Sequence, residues 1–290
     1  APSFSSPRET ATTFVRSSGV LSMKLSKWFL AALCAIGLVL GAAASAKDKK
    51  ADEYPNATRK DPKVSMSERD QRSLNKATDL VNEGQGAEAE PLIRKVLDDN
   101  KSSKYAQAFA HQLLAQVYWD QDKGEQAISE YKAAIALDAL PNEAHFQLIY
   151  ALAQTQVQEE KYQDAVATLE EWEKQTGKQS ADELALKSNA YYRLDQYQPA
   201  IDAMKKAMSM TDEVNDSWTQ ILMASYFELD QYDEAARIVQ AQLAKEPKNK
   251  KLVNQPATIY IQGDKTDQAL AVLSKAKADG MVTSSEDYVQ

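Results

Sequence analysis

His111 and His145, the two histidines of the chain, stand 34 residues apart at equivalent places in two neighbouring predicted helices. Imidazoles so placed could bridge a metal ion. A structural site needs a fuller ligand set, and neither a second His four residues on nor a flanking carboxylate pair completes one. The pattern favours ordinary helix positions, and no metal or other cofactor is expected. Glu159–Glu160 and Glu170–Glu171 could serve as acid and base, but read better as solvated helix faces. There is no G-x-S-x-G nucleophile turn and no glycine-rich phosphate loop. The residues with catalytic potential are therefore not arranged for catalysis, and no enzyme is expected.

The elements that would position these side chains are helices. The chain has 290 residues, with nine Gly and nine Pro, and is rich in Ala, Gln, Glu, Lys and Leu. That mix favours helix over strand.

The first methionine is Met23, and residues 1–22 before it are expected not to belong to the native protein. Residues 23–46 have the form of a secretory signal. Lys24 and Lys27 are basic, Trp28 to Val39 is apolar, and Ala44-Ser45-Ala46 supplies small residues for cleavage. The apolar centre is shorter than the ~20 residues of a membrane span. Cleavage after Ala46 is the expectation; an uncleaved membrane anchor is the alternative. Cys34, the sole cysteine, lies in this run behind Leu33, a poor context for lipidation. A mature chain from Lys47 has no thiol and a formal charge of −11, after loss of four basic residues and one acid. Such a surface repels nucleic acid and anionic lipid headgroups, and no membrane insertion is expected after cleavage. Residues 47–66 are polar, charged and broken by Pro55 and Pro62, and are expected to form a flexible linker.

From residue 67 the chain repeats itself. DQYQPAIDAMKKAM begins at Asp195, and DQYDEAARIVQAQL follows 35 residues later at Asp230. Small residues recur at Ala89, Ala127, Ala165, Ala200, Ala235 and Ala269, with spacings of 38, 38, 35, 35 and 34. Such a period marks a solenoid of helix pairs. The small residue lets the two helices of a pair cross closely. Pro199 falls in a first helical turn, where it is tolerated. Pro256 falls within a predicted helix and should break or kink it. Residues 67–282 are read as about six repeats. Residues 283–290, which open with Thr283-Ser284-Ser285-Glu286, are read as the start of a further one.

These repeats resemble the tetratricopeptide repeat (TPR) family. GEQAISEYKAAIALD (124–138) is similar to its second helix, with Ala127, Tyr131 and Ala134 at the small, aromatic and small positions. Tyr162, Tyr197 and Tyr232 fall in the family's aromatic turn slot, and Pro247 at its terminating proline. The resemblance implies an all-α fold, a right-handed superhelical solenoid of antiparallel helix pairs. It also implies a non-catalytic role, with a protein or peptide partner held on the concave face by the first helix of each pair.

Carried over position by position, the family's concave columns are Gln112, Tyr150, Ala185, Gln220, Asn254, then Gln116, Gln154, Asn189, Ala224, Thr258. A third column is Trp119, Val157, Tyr192, Phe227, Ile261, flanked by Asp120, Gln158, Arg193 and Glu228. The amides can donate to and accept from an extended backbone, and the aromatics offer flat apolar contact. Arg193 is almost the lone cation, so capture of an acidic tail is not expected. The segment from Asn215 onward is similar to periplasmic TPR proteins of proteobacteria that accompany TonB–ExbB–ExbD-type clusters. That likeness implies a bacterial periplasmic scaffold in an envelope transport complex. A self-associating structural subunit and a cell-envelope or cell-division accessory stand as alternatives.

Overall fold

A computed structural model describes residues 53–246 and 249–280. The expected leader at 23–46, the residues before it, Cys34, Pro247 and the 283–290 segment lie outside the described residues. Thirteen helices and no strand are present among the described residues, so the fold is all-α. None of these helices is long and apolar enough to cross a membrane. The described residues divide into two compact units, one ending at Glu183 and one beginning at Leu184.

In the first unit, six helices form three hairpins. They are α1 (Glu68–Asn82) with α2 (Gly86–Leu97), α3 (Lys104–Asp120) with α4 (Gly124–Ala136), and α5 (Asn142–Gln158) with α6 (Tyr162–Thr176). Each helix packs on its hairpin partner, and α2 on α3 and α4 on α5 join successive hairpins. Ser67 and Ser103 cap α1 and α3 by accepting from the backbone N–H three residues on.

The division between units falls within α7 (Ala181–Arg193). The second unit continues with α8 (Tyr197–Ser209), α9 (Asp216–Glu228), α10 (Tyr232–Lys245), α11 (Lys250–Val253), α12 (Gln255–Gln262) and α13 (Thr266–Ala278). Pro256 acts as the sequence predicts. What could have been one helix is broken at Asn254 into the short α11 and α12, with Pro256 in the first turn of α12.

The six anchor alanines are all buried, five of them completely. Tyr131 and Ala134 are buried with them. At the fourth hairpin, the usual small contact is Ser188. Its hydroxyl is buried and donates to the Ala200 carbonyl at 2.7 Å, so a polar residue fits where an apolar one is usual.

A second device closes every hairpin. Gly84, Asp122, Glu160, Asp195, Asp230 and Asp264 each adopt positive φ, between 55° and 74°. Each lies five residues before an anchor alanine. The residue after each one donates its N–H five positions back, as from Lys123 to the Tyr118 carbonyl at 2.9 Å and from Lys265 to Tyr260 at 2.8 Å. This left-handed cap turns the chain sharply enough for the second helix to begin two residues later. Tyr232, in the aromatic turn slot, lies against the turn of the next hairpin. A Cβ added to Gly263 would sit 2.5 Å from its ring, so only glycine fits there.

Residues 53–66 depart from the sequence expectation. They are not a free linker but a strap along the loop edge of the first three hairpins. Tyr54 is buried beside Phe146 and Trp172, at ring distances of 4.8 and 6.3 Å. Thr58 N–H donates to the Gln175 carbonyl at 2.8 Å. The Arg59 guanidinium donates to Asp138, Asn142 and the Leu140 carbonyl, at 2.6, 2.6 and 2.7 Å. Polar composition hid this, because the sockets lie about 80 to 120 residues away in the chain.

His145 lies beneath this seat, buried edge-on against Phe146. Burial lowers its pKa to about 4, and the Arg59 charge adds to the fall; Asp138 and a hydrogen bond with Gln175 oppose it. The folded ring is thus neutral where an unfolded one would begin to protonate. Its contribution to stability is complete above about pH 6.5 and is lost as pH falls toward 4, by about 2–3 kcal/mol. His145→Gln should flatten that part of the acid dependence, read as the difference in urea midpoint between the two proteins from pH 7 to pH 4.5. Glu160 carries a full side chain in the left-handed region and is exposed, so Glu160→Gly should stabilise by roughly 1 kcal/mol in the same assay, and Glu160→Val should destabilise.

Candidate functional site

The candidate residues sit on the first helix of each pair, and each unit presents its own set. In the first unit, Gln112 and Gln116 are one turn apart and half-buried on α3. Gln116 donates to the exposed Asp120 at 2.8 Å. On α5, Tyr150 is half-buried and Gln154 is buried beneath it. Burial pushes the Tyr150 hydroxyl above its ordinary range. The carboxylates Asp182 and Glu183 push the same way, and a hydrogen bond with Gln154 opposes them. Tyr150 also lies 6.5 Å from the Trp172 ring, which ties this face to the seat of Tyr54.

The second unit presents Asn189, Tyr192 and Arg193 on α7, Gln220 on α9 and Asn254 at the N-cap of α12, all half-buried. Glu228 is exposed at the end of α9. Partial burial, then Asp195 and Asp230, hold its carboxyl above the usual range.

The aromatic column differs from its expected open placement. Trp119 and Phe227 are only 7% and 6% exposed. Trp119 is part of the apolar core of the first hairpins, and at Phe227 the left-handed cap is the cause. It folds the turn tyrosine back over the residue three before the cap. Phe227 meets Tyr232 edge-on at 5.6 Å, and Tyr192 meets Tyr197 at 5.8 Å. The hydroxyls of Tyr197 and Tyr232 donate to Asp195 and Asp230 at 2.8 and 2.9 Å. These rings close hairpins, and what remains half-open is Gln112, Gln116 and Tyr150 in the first unit and Asn189, Tyr192, Arg193 and Gln220 in the second. The acid-before-tyrosine pair, repeated in DQY, was the available signal for this packing.

The two histidines do not form a joint site. His111 Nδ1 lies 2.6 Å from Glu130 across its own hairpin, and His145 is buried at the start of α5. Among the described residues, no group of three or more His, Cys, Asp or Glu side chains is placed to hold a metal.

Residues 74–139 and 112–179 match the tetratricopeptide repeat family model in two overlapping windows. A comparison with curated proteins found no match. Among solved structures, the fold is similar to a tetratricopeptide repeat protein from Parabacteroides merdae, with TM-score 0.53 and 17% identity, over 73% of this chain and 80% of that one. It is also similar to the MamA RS-1 ArsTM double mutant, with TM-score 0.52 and 17% identity, over 63% of this chain and 98% of that one. At these identities the likeness concerns the fold. The family match, the buried alanine in every described hairpin and these two neighbours agree: residues 74–179 match the tetratricopeptide repeat model, and the fold is an all-helical array of hairpins like that of its TPR neighbours.

Proposed function

We propose that the chain is a non-catalytic adaptor that holds a protein or peptide partner on the faces of its first helices. The observation that carries this is a pair of half-open polar side chains one turn apart on a first helix of each unit, Gln112 and Gln116 on α3 and Asn189 and Arg193 on α7. Such side chains can donate to the peptide groups of an extended chain, and Tyr150 and Tyr192 add flat apolar contact, one in each unit. The TPR fold is commonly a protein-interaction scaffold, which agrees.

The adaptor works in the bacterial periplasm, in an envelope transport complex. The leader-like segment Met23–Ala46 and the likeness of the repeats to periplasmic TPR proteins support this placement. Export predicts a mature N-terminus at Lys47 in the periplasmic fraction, read by intact mass. A chain retaining residues 23–46 in the membrane fraction contradicts it and supports the anchor.

A second reading, self-association, is favoured by Ile261 and Leu270, which are 60% and 58% exposed in the last described hairpin. Sedimentation of the mature chain with Ile261→Ser and Leu270→Ser separates the two readings. A fall in mass supports self-association, and an unchanged monomer favours the adaptor.

The adaptor is tested by cross-linked capture from envelope extract. Gln112→Ala with Gln116→Ala, and Asn189→Ala with Arg193→Ala, should each reduce recovery of the captured partner about tenfold, by loss of roughly 1–2 kcal/mol, with helix content unchanged. Lys132→Ala, at an exposed position on α4, should leave recovery intact. Recovery that survives both double substitutions overturns the adaptor reading.

A further inference from the structure

The seat beneath residues 53–61 has the make-up of a peptide-binding site, and it meets the first-helix face of α5 at Tyr150. Its aromatic slot is formed by Phe146, Ile149 and Trp172, and it encloses the Tyr54 ring. The Lys178 ammonium lies 5.2 Å above that ring. Burial, with Glu53 next, raises the Tyr54 hydroxyl to about 12, so it stays neutral in the slot.

Five residues on, the Arg59 side chain is 9% exposed and fills a socket of three acceptors on the loop between α4 and α5. Between these anchors the backbone pairs with the body. Thr58 N–H donates to the Gln175 carbonyl, and the Arg59 carbonyl accepts from the Asn142 amide at 3.3 Å. Asp61 accepts from the Asn142 N–H at 2.6 Å, capping the orphan donor at the start of α5. A buried aromatic, a multidentate arginine and backbone pairing are the features by which folded domains hold extended peptides.

Beyond Asp61 the fit changes. Pro62, Lys63 and Ser65 roof a cleft of about 400 Å³ floored by the start of α3 and by Leu137 to Ala139. Next to this open space, Ser65 is held by one hydrogen bond to its carbonyl, from the Ser103 hydroxyl at 2.6 Å. The tight half of the strap therefore joins the helical body through Pro62 to Ser65 beside an open cleft, with Met66 packed on the core.

From these contacts we infer that the loop edge of the second and third hairpins is a binding site for extended protein segments of the pattern Tyr-x4-Arg, and that residues 54–59 occupy it as the chain's own ligand. A partner segment carrying the same two side chains displaces the strap to bind. A short tether gives the strap an effective concentration on the order of 1 mM. A free peptide with a Kd on the order of 10 μM then binds the intact chain about a hundredfold more weakly than the vacated seat.

The test uses the full chain with a protease recognition sequence inserted between Lys63 and Val64, cut after folding. The probe is a fluorescent peptide of residues 53–66, EYPNATRKDPKVSM. After cutting, circular dichroism should be unchanged, and anisotropy should show saturable exchange of probe into the seat, about a hundredfold tighter than into uncut protein. A probe with alanine at the positions of Tyr54 and Arg59 should bind at least tenfold more weakly, as should cut protein carrying Asp138→Ala and Asn142→Ala. Gln112→Ala with Gln116→Ala should not change probe binding, which keeps this result separate from the fate of the first-helix faces. Unfolding of the body on release of the strap overturns the inference, because the strap is then part of the core. Failure of the probe to enter a folded, cut protein overturns it equally.

Discussion

Everything in this molecule depends on how closely two helices can approach within a hairpin. A helix of a dozen residues is marginal alone and gains its stability by burying one face against a partner. The approach is set by a fully buried alanine on the second helix and a left-handed residue five positions before it. The alanine removes the side chain that would hold the helices apart. The left-handed residue reverses the chain in two steps. With both in place, a hairpin presents an apolar face that the next hairpin of the same unit covers, and the first helix of a pair is held in a fixed register.

That register explains the candidate surface. Residues one turn apart on a first helix, such as Gln112 and Gln116, keep the same outlook because the helix cannot rotate without lifting off its alanine. The same closure removes Phe227 from the surface, since the turn that brings the helices together also brings the Tyr232 ring against the residue three before the cap. Hairpin packing and partner binding thus compete for the same aromatic positions. In this chain packing takes the buried ones and leaves Tyr150, Tyr192 and the amides half-open.

Much of this was legible in the sequence. The spacing of Ala89, Ala127, Ala165, Ala200, Ala235 and Ala269 marks every hairpin, and Pro256 marks the break before α12. Periodicity reports local geometry, and these are local features. The strap was not legible. Tyr54 and Arg59 are single residues in a polar segment, and what fixes them is a slot and a socket built by α5, α6 and the loop before α5. Composition reads such a segment as unable to bury itself, which holds for the segment alone and fails once a preformed surface accepts it. The exposure of the aromatic column was only half legible, because the DQY pattern names the acid and the tyrosine but not the ring that folds beneath them.

The strap also shows the reach of the hairpin closure. Its seat exists only because α5 and α6 lie close enough for Phe146 and Trp172 to flank one ring. Hydrogen–deuterium exchange on Ala165→Leu tests this dependence most directly. If the close crossing of α5 and α6 governs both the hairpin and what rests on it, the larger side chain should speed exchange throughout α5, α6 and residues 54–61 together. Faster exchange confined to the turn around Glu160, with Thr58 and Asn142 as protected as in the parent protein, would contradict the account.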